Sequence, residues 1–229
     1  MKKILITGAT GGIGRALVAK LADRDDVTLA LTGRSESGLA ELPDVAAKLP
    51  ADLMTPHAAA KVVEDAAAAM DGLDCVVHLC GVGLIKPIAD TTDAEFVTTV
   101  NVNLRTTFLV AQAACKIMAE QKSGLFIVPP GILGKAVMKN AAAYIASKYA
   151  VTGLMKAFAE EYRRANIHFS LFFFGGVASP FWDNLSIKLD PAKVITPEVA
   201  ADALLAAIDA PPHLVLAEYV LMPESHQLV

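Results

Sequence analysis

TGATGGIG, Thr7 to Gly14, follows the short apolar run KILIT (3–7) and leads into GRALVAKLA, whose helical period ends near Asp23. Apolar spacing therefore changes from continuous to 3.6-residue across the stretch, which reads as strand, turn, helix. Glycines at 8, 12 and 14 permit a tight turn and let a pyrophosphate approach the main chain. The helix that starts there aims unpaired N–H groups and the positive end of its dipole at the same point. Glycine clusters also serve as plain punctuation. Between a first strand and a first helix, however, the nucleotide reading is the stronger one.

The pattern continues along the chain. VTLALT (27–32) is a second strand and VAAKL (45–49) a poorer third. Thr55 and Pro56 open a helix, because a hydroxyl caps it and Pro suits the first helical position. LDCVVHL (73–79) is a buried strand, and Thr92 with Glu95 forms a capping box for a helix running to about Glu120. GLFIV is a strand, 141–164 a helix, IHFSLFFF a strand. A last helix begins at Thr196, Pro197 and Glu198, and LVLAEYVLM (214–222) closes the sheet. Strict alternation requires crossover connections, so the expectation is one α/β domain over 1–229. It is a Rossmann-type, doubly wound, mostly parallel seven-stranded sheet with helices on both faces.

Composition agrees and excludes several function classes. The 229 residues are 54% hydrophobic and 19% charged, enough to bury a large core. Net charge is −4 with no long basic run, which removes the electrostatic footprint of a nucleic-acid binder. No apolar stretch approaches the ~20 residues that span a bilayer, and the apolar run at the N-terminus is too short for a signal peptide. Cys75, Cys80 and Cys115 form no CxxC and read as reduced thiols, which places the protein in the cytoplasm. His78 reads as a hydrogen-bonded structural residue, and with no second ligand at metal spacing no metal is expected.

YIASK (144–148) sets a phenol and an ammonium one helical turn apart on a shared face, about 40° from each other. Taken alone the pair is equally a packed Tyr beside a snorkelling Lys. Taken with the TGxxxGxG turn it resembles the short-chain dehydrogenase/reductase family. HLCG (78–81) stands where that family carries NNAG, Asp52 in ADL where it has an adenine-contacting Asp, Asn103 in VNVNLRTTF where it has a helix Asn, and FGGVASP (174–180) where it has PGxVxT. The resemblance spans essentially the whole chain in the right order.

That resemblance implies cofactor contacts from Gly8, Thr10, Gly12, Ile13 and Gly14 at the turn. Asp52 and Leu53 follow strand three, Cys80 and Gly81 strand four, and Gly175 and Val177 strand six. Tyr144 and Lys148 would reach the nicotinamide end. At the end of strand two a carboxylate would repel a 2′-phosphate, whereas Gly33, Arg34 and Ser35 stand here, so NADP is expected over NAD. Gly11 occupies a position where NADP-using relatives often carry a second basic residue. Tyr144 would be the acid or base at the substrate oxygen, Lys148 would lower its pKa by charge, and Asn103 would hold a water leading to Lys148.

One position departs from the family. A Ser thirteen residues before the Tyr normally bonds the substrate oxygen, and here that position is Gly131, after Pro129 and Pro130. Losing one such donor costs ~10²–10³ in rate. The N–H of Gly131 or Ile132, a water, Lys139 or Asn140 are the candidate replacements. Gly131, Ile132, Phe181 and Trp182 would border the substrate, with Phe181, Trp182 and Leu185 in a segment that can act as a lid. Two functions compete: an oxidoreductase acting on a small carbonyl or alcohol, and a nucleotide-binding sensor or scaffold that has lost turnover. The resemblance also implies a homodimer or homotetramer built on the helices at 93–120 and 141–164.

Overall fold

The computed structural model describes residues 1–183, 185 and 190–224. Seven strands form one sheet: β1 (Lys2–Thr7), β2 (Val27–Gly33), β3 (Ala47–Pro50), β4 (Cys75–His78), β5 (Gly124–Val128), β6 (Ile167–Phe174) and β7 (Glu218–Leu221). Every pairing is parallel and the order is β3-β2-β1-β4-β5-β6-β7. The chain winds outward from β1 to β3, then returns to place β4 on the other side of β1. The sheet thus reverses direction between β1 and β4, where Thr7 and His78 are register partners. A crevice at the carboxyl ends of the strands opens at such a switch point.

Alternate residues of each strand feed two cores. On one face α1 (Gly12–Leu21) and α7 (Pro197–Ile208) pack Leu17, Leu21, Leu204 and Ile208 on Ile4, Ile6, Leu31 and Phe172. On the other, α3 (Pro56–Met70), α5 (Thr106–Gln121) and α6 (Ala142–Tyr162) bring Val63, Val110, Met118 and Met155 onto Leu5, Val76, Phe126 and Phe173. Phe126, Phe172 and Phe173 are fully buried, each contributing about 1.5–3 kcal/mol relative to exposure. The caps stand where the sequence puts them: Thr55, Thr92 and Thr196 accept from Ala58, Glu95 and Val199 N–H.

Three features differ from the sequence reading. A short helix, α2 (Glu36–Ala40), follows β2 and was not anticipated. The closing strand occupies only the last part of 214–222. The expected helix from 93 to about 120 is divided into α4 (Asp93–Val100) and α5 by a π-turn at Asn101–Arg105, where Thr106 N–H reaches back five residues to Asn101 O. Apolar periodicity does not register one inserted residue, yet such turns concentrate at functional sites. Positions 184 and 186–189 of the expected lid lie outside the described residues.

Candidate active site

The glycine-rich turn is shaped by crowding. Gly8 has φ +70°, and a Cβ there would meet Leu79 C at 3.0 Å. At Gly14 a Cβ would lie 2.3 Å from Gly8 O and 2.8 Å from Ala9 Cα, so main chain folds against main chain with no space for a side chain. The resulting cradle opens on a cavity of about 300 Å³ that also touches Ile13, Tyr144, Lys148, Gly175 and Val177. A second lobe of about 210 Å³ shares Gly8, Thr10, Cys80 and Gly81 with it and extends to Arg34, Asp52 and Leu53. The two lobes run along the carboxyl edge of the sheet across the switch point, a bipartite cleft that fits a dinucleotide.

Sequence-selected residues from six separate segments therefore meet in one place. Arg34 reaches the second lobe, while the Ser35 hydroxyl accepts from Gly38 N–H at 2.9 Å and caps α2, outside either lobe. Ile132 also departs from expectation. Its side chain packs against the core beneath α5 and α6, so it does not border the cavity. Cys80 Sγ donates to Thr7 Oγ1 at 3.5 Å, and burial raises its pKa. His78 Nδ1 shares a 2.8 Å hydrogen bond with Thr7 Oγ1, and burial pulls the imidazole down to about 3, which keeps it neutral. Among the described residues no group of three His, Cys, Asp or Glu is placed to hold a metal, and no helix is long and apolar enough to cross a membrane.

At the other end of the large lobe, Lys148 Nζ lies 5.7 Å from the Tyr144 ring centroid. A Cβ at Gly81 would stand 3.3 Å from that ammonium and 3.2 Å from Asn103 Oδ1, so the missing side chain leaves space for both. Burial governs both ionisable groups. It raises the Tyr144 phenol above its ordinary value and lowers the Lys148 ammonium to about 8. The direction at Tyr144 is opposite to that expected from the Lys148 charge, because removal from water penalises phenolate more than the ammonium favours it.

Asn103 sits in the π-turn and does not line either lobe. Its Oδ1 accepts from Val82 N–H at 2.8 Å, and its Nδ2 donates to Val82 O and to Ser147 Oγ, each at 2.9 Å. Ser147 Oγ in turn donates to Tyr144 O at 2.7 Å. The π-turn, the loop after β4 and the first turn of α6 are thereby fastened together. The YIASK spacing gives no sign of the link from Ser147 to Asn103.

The wall beyond Tyr144 is apolar. Phe181 lies tilted at 6.0 Å from the Tyr144 ring, and Trp182 lies edge-on to Phe181 at 5.2 Å. Trp182 Nε1 donates to Val177 O at 2.8 Å. Phe181 and Leu185 lie against Gly83, bringing this segment onto the loop after β4. Pro129, Pro130 and Phe174 complete the wall and were not singled out from sequence. Gly131 borders the cavity with φ +75°, its N–H donating to Phe172 O at 3.2 Å and its O accepting from Gly134 N–H at 2.9 Å.

Comparison with known proteins agrees with this geometry. A family model described as short chain dehydrogenase matches residues 2–190. A short-chain dehydrogenase/reductase of Armillaria gallica is 32% identical, the match covering 98% of this chain and 90% of the relative. An alcohol dehydrogenase from the archaeon Thermococcus sibiricus, complexed with 5-hydroxy-NADP, superposes with a TM-score of 0.88 at 22% identity, covering all of both chains. A metagenomic short-chain oxidoreductase in complex with NADP gives 0.79 at 27% identity, covering 96% of each. With the glycine cradle, the switch-point cleft and the family match over most of its length, the chain belongs to the short-chain dehydrogenase family of oxidoreductase enzymes.

Proposed function

We propose that the protein is an NADP-dependent oxidoreductase that moves a hydride between the nicotinamide and a carbonyl or secondary alcohol. The observation that carries the reading is that Tyr144 and Lys148 open onto the same cavity as the Gly8–Gly14 turn. The turn would hold the pyrophosphate, Asp52 and Leu53 the adenine end, and Gly175 and Val177 the nicotinamide end. The bound dinucleotide supplies the hydride.

The chain's own residues do the rest. Tyr144, its phenol kept protonated by burial, gives its proton to the substrate oxygen in reduction and takes it back in oxidation. Lys148 is buried beside it and stabilises the phenolate as it forms. Asn103 positions both through Val82 and Ser147. Phe181 and Trp182 exclude water from the reacting end. Arg34 favours NADP by pairing with the 2′-phosphate, in keeping with the NADP bound in the metagenomic relative.

Tyr144→Phe should abolish turnover of reduced nicotinamide while leaving NADPH affinity within about threefold, since the ring and its packing remain. Unchanged turnover would refute the assignment. Arg34→Ala should weaken NADPH by about tenfold or more and leave NADH untouched. A sensor or scaffold without turnover is the second reading, and Gly131 is what favours it. Assembly as a homodimer or homotetramer, and residence in the cytoplasm, belong to the same proposal. Half-exposed Phe96, Phe108 and Tyr149 on α4, α5 and α6 support the former, and light scattering would test it.

A further inference from the structure

The substrate end of the cleft has a particular chemical character. Its wall is Pro129, Pro130, Gly131, Phe174, Phe181 and Trp182. Two donors of this wall are already engaged: Trp182 Nε1 donates to Val177 O, and Gly131 N–H donates to Phe172 O. Gly131 is thus barred from supplying the missing donor through its main chain. Ile132, Lys139 and Asn140 do not border the cavity, and Ser179 lies over Gly12 at the glycine-rich turn. Among the described residues the Tyr144 hydroxyl is left as the uncharged side-chain donor at this corner. Among the described residues Lys148 is the one cation lining this lobe; it is 7% exposed and packed against Gly81 beside Asn103.

We infer that the substrate is an uncharged, ring-bearing vicinal dicarbonyl, reduced at one carbonyl to a hydroxy ketone. The inference rests on the reductase reading above and names its substrate class. Flat proline and aromatic surfaces favour a ring, and an anionic group there would be desolvated without a partner. A simple ketone reduced with one donor instead of two loses about 10²–10³ in rate. A second carbonyl next to the first offsets that loss from the substrate side: it withdraws electron density from the carbon under attack, and one phenol O–H can be shared by two adjacent oxygens. The carbonyl carbon gains a hydride with its electron pair from reduced nicotinamide, the C=O π pair moves to oxygen, and that oxygen takes the Tyr144 proton. The phenolate is reprotonated from solvent. The dicarbonyl is reduced by two electrons and NADPH is oxidised to NADP⁺.

Three matched compounds test this: 1-phenyl-1,2-propanedione, propiophenone and benzoylformate. Trp182 is the chain's single Trp and lines the wall, so its fluorescence reports binding apart from turnover. In the NADP⁺-loaded protein the diketone and propiophenone should quench it with affinities within about tenfold of each other, and the anionic benzoylformate should bind at least about tenfold more weakly. With NADPH the diketone should exceed propiophenone about 100-fold or more in kcat/KM, and Gly131→Ser should narrow that ratio about tenfold or more by raising propiophenone. Propiophenone turned over as well as the diketone, benzoylformate preferred, an unchanged ratio in Gly131→Ser, or NADPH binding with no diketone turnover would each overturn the inference. Energy transfer from Trp182 to NADPH keeps the two levels apart. Without NADPH binding the oxidoreductase reading itself falls, whereas Tyr144-dependent turnover of another carbonyl leaves that reading standing and removes only the substrate class.

Discussion

Gly14 and Gly131 stand at opposite ends of one cleft, and a methyl group added to each would meet different surroundings. At Gly14 it would press on the Gly8 carbonyl at 2.3 Å; at Gly131 the nearest atom is Phe174 O at 3.6 Å, and the obstacle is only φ +75°. The end at Gly14 is therefore fixed by close packing of main chain. The end at Gly131 is open, and its shape is held by directional polar contacts and by buried charge. Crowding leaves a spacing pattern in sequence, while openness leaves only the absence of an expected side chain.

The largest expected effect follows at the crowded end. Gly14→Ala must displace the turn, at the upper end of overpacking costs, about 3 kcal/mol. For a chain of this size that lowers the thermal midpoint by roughly 6–12 °C, and NADPH affinity should fall by about tenfold or more as the cradle shifts. Calorimetry reads both. A variant with the parent's midpoint and affinity would show that the turn is not close-packed.

Next in size is the buried ammonium. Lys148 has a folded pKa of about 8 against an ordinary 10.5, from burial. Between those values the unfolded chain binds more protons, so stability rises with pH through the window, and the penalty is fully present below about 8. Lys148→Met should therefore stabilise the protein at neutral pH by about 2–3 kcal/mol while removing turnover, with the gain shrinking as pH approaches 10.5. A destabilised variant, or a gain that does not depend on pH, would show that Lys148 is not held at a cost. Gly131→Ala should cost about 1–3 kcal/mol, because φ +75° with ψ 172° is a backbone region that side chains avoid, with NADPH binding unchanged.

The same contrast explains what could be read beforehand. Gly8, Gly12 and Gly14 announced the close-packed turn because sterics dictate both residue type and spacing. The strands and the Thr55, Thr92 and Thr196 caps were legible because each depends on local apolar period or one side-chain bond. The π-turn at Asn101–Arg105 was not legible: the bonds that tie its Asn103 to Val82 join residues distant in sequence. Ile132 was misplaced for a related reason. Adjacency to Gly131 says nothing about which side of the main chain its side chain takes, and the core takes it. The Tyr144 pKa direction was missed because helical spacing reveals a neighbouring charge but not how much water is lost.

The smallest effect sharpens the comparison at the polar end. Glu95 accepts from Thr92 N–H at 2.8 Å and Thr92 Oγ1 at 2.9 Å and receives Lys86 Nζ on both oxygens, while Lys86 N–H donates to Asn140 O at 2.6 Å. One carboxylate thus ties the loop after β4 to the helix cap, and through Lys86 to the segment that follows Gly131. The Thr92 N–H, then Lys86, hold its pKa down at about 2 from 4.5. A depressed carboxylate contributes stability that is complete above 4.5 and is lost as pH falls toward 2. Glu95→Gln should flatten the dependence of the thermal midpoint on pH across that window by about one or two degrees, leaving NADPH affinity at pH 7 unchanged. An identical slope in parent and variant would mean that the polar end is held by something other than this carboxylate; a change in NADPH affinity would mean that the two ends of the cleft are not mechanically separate.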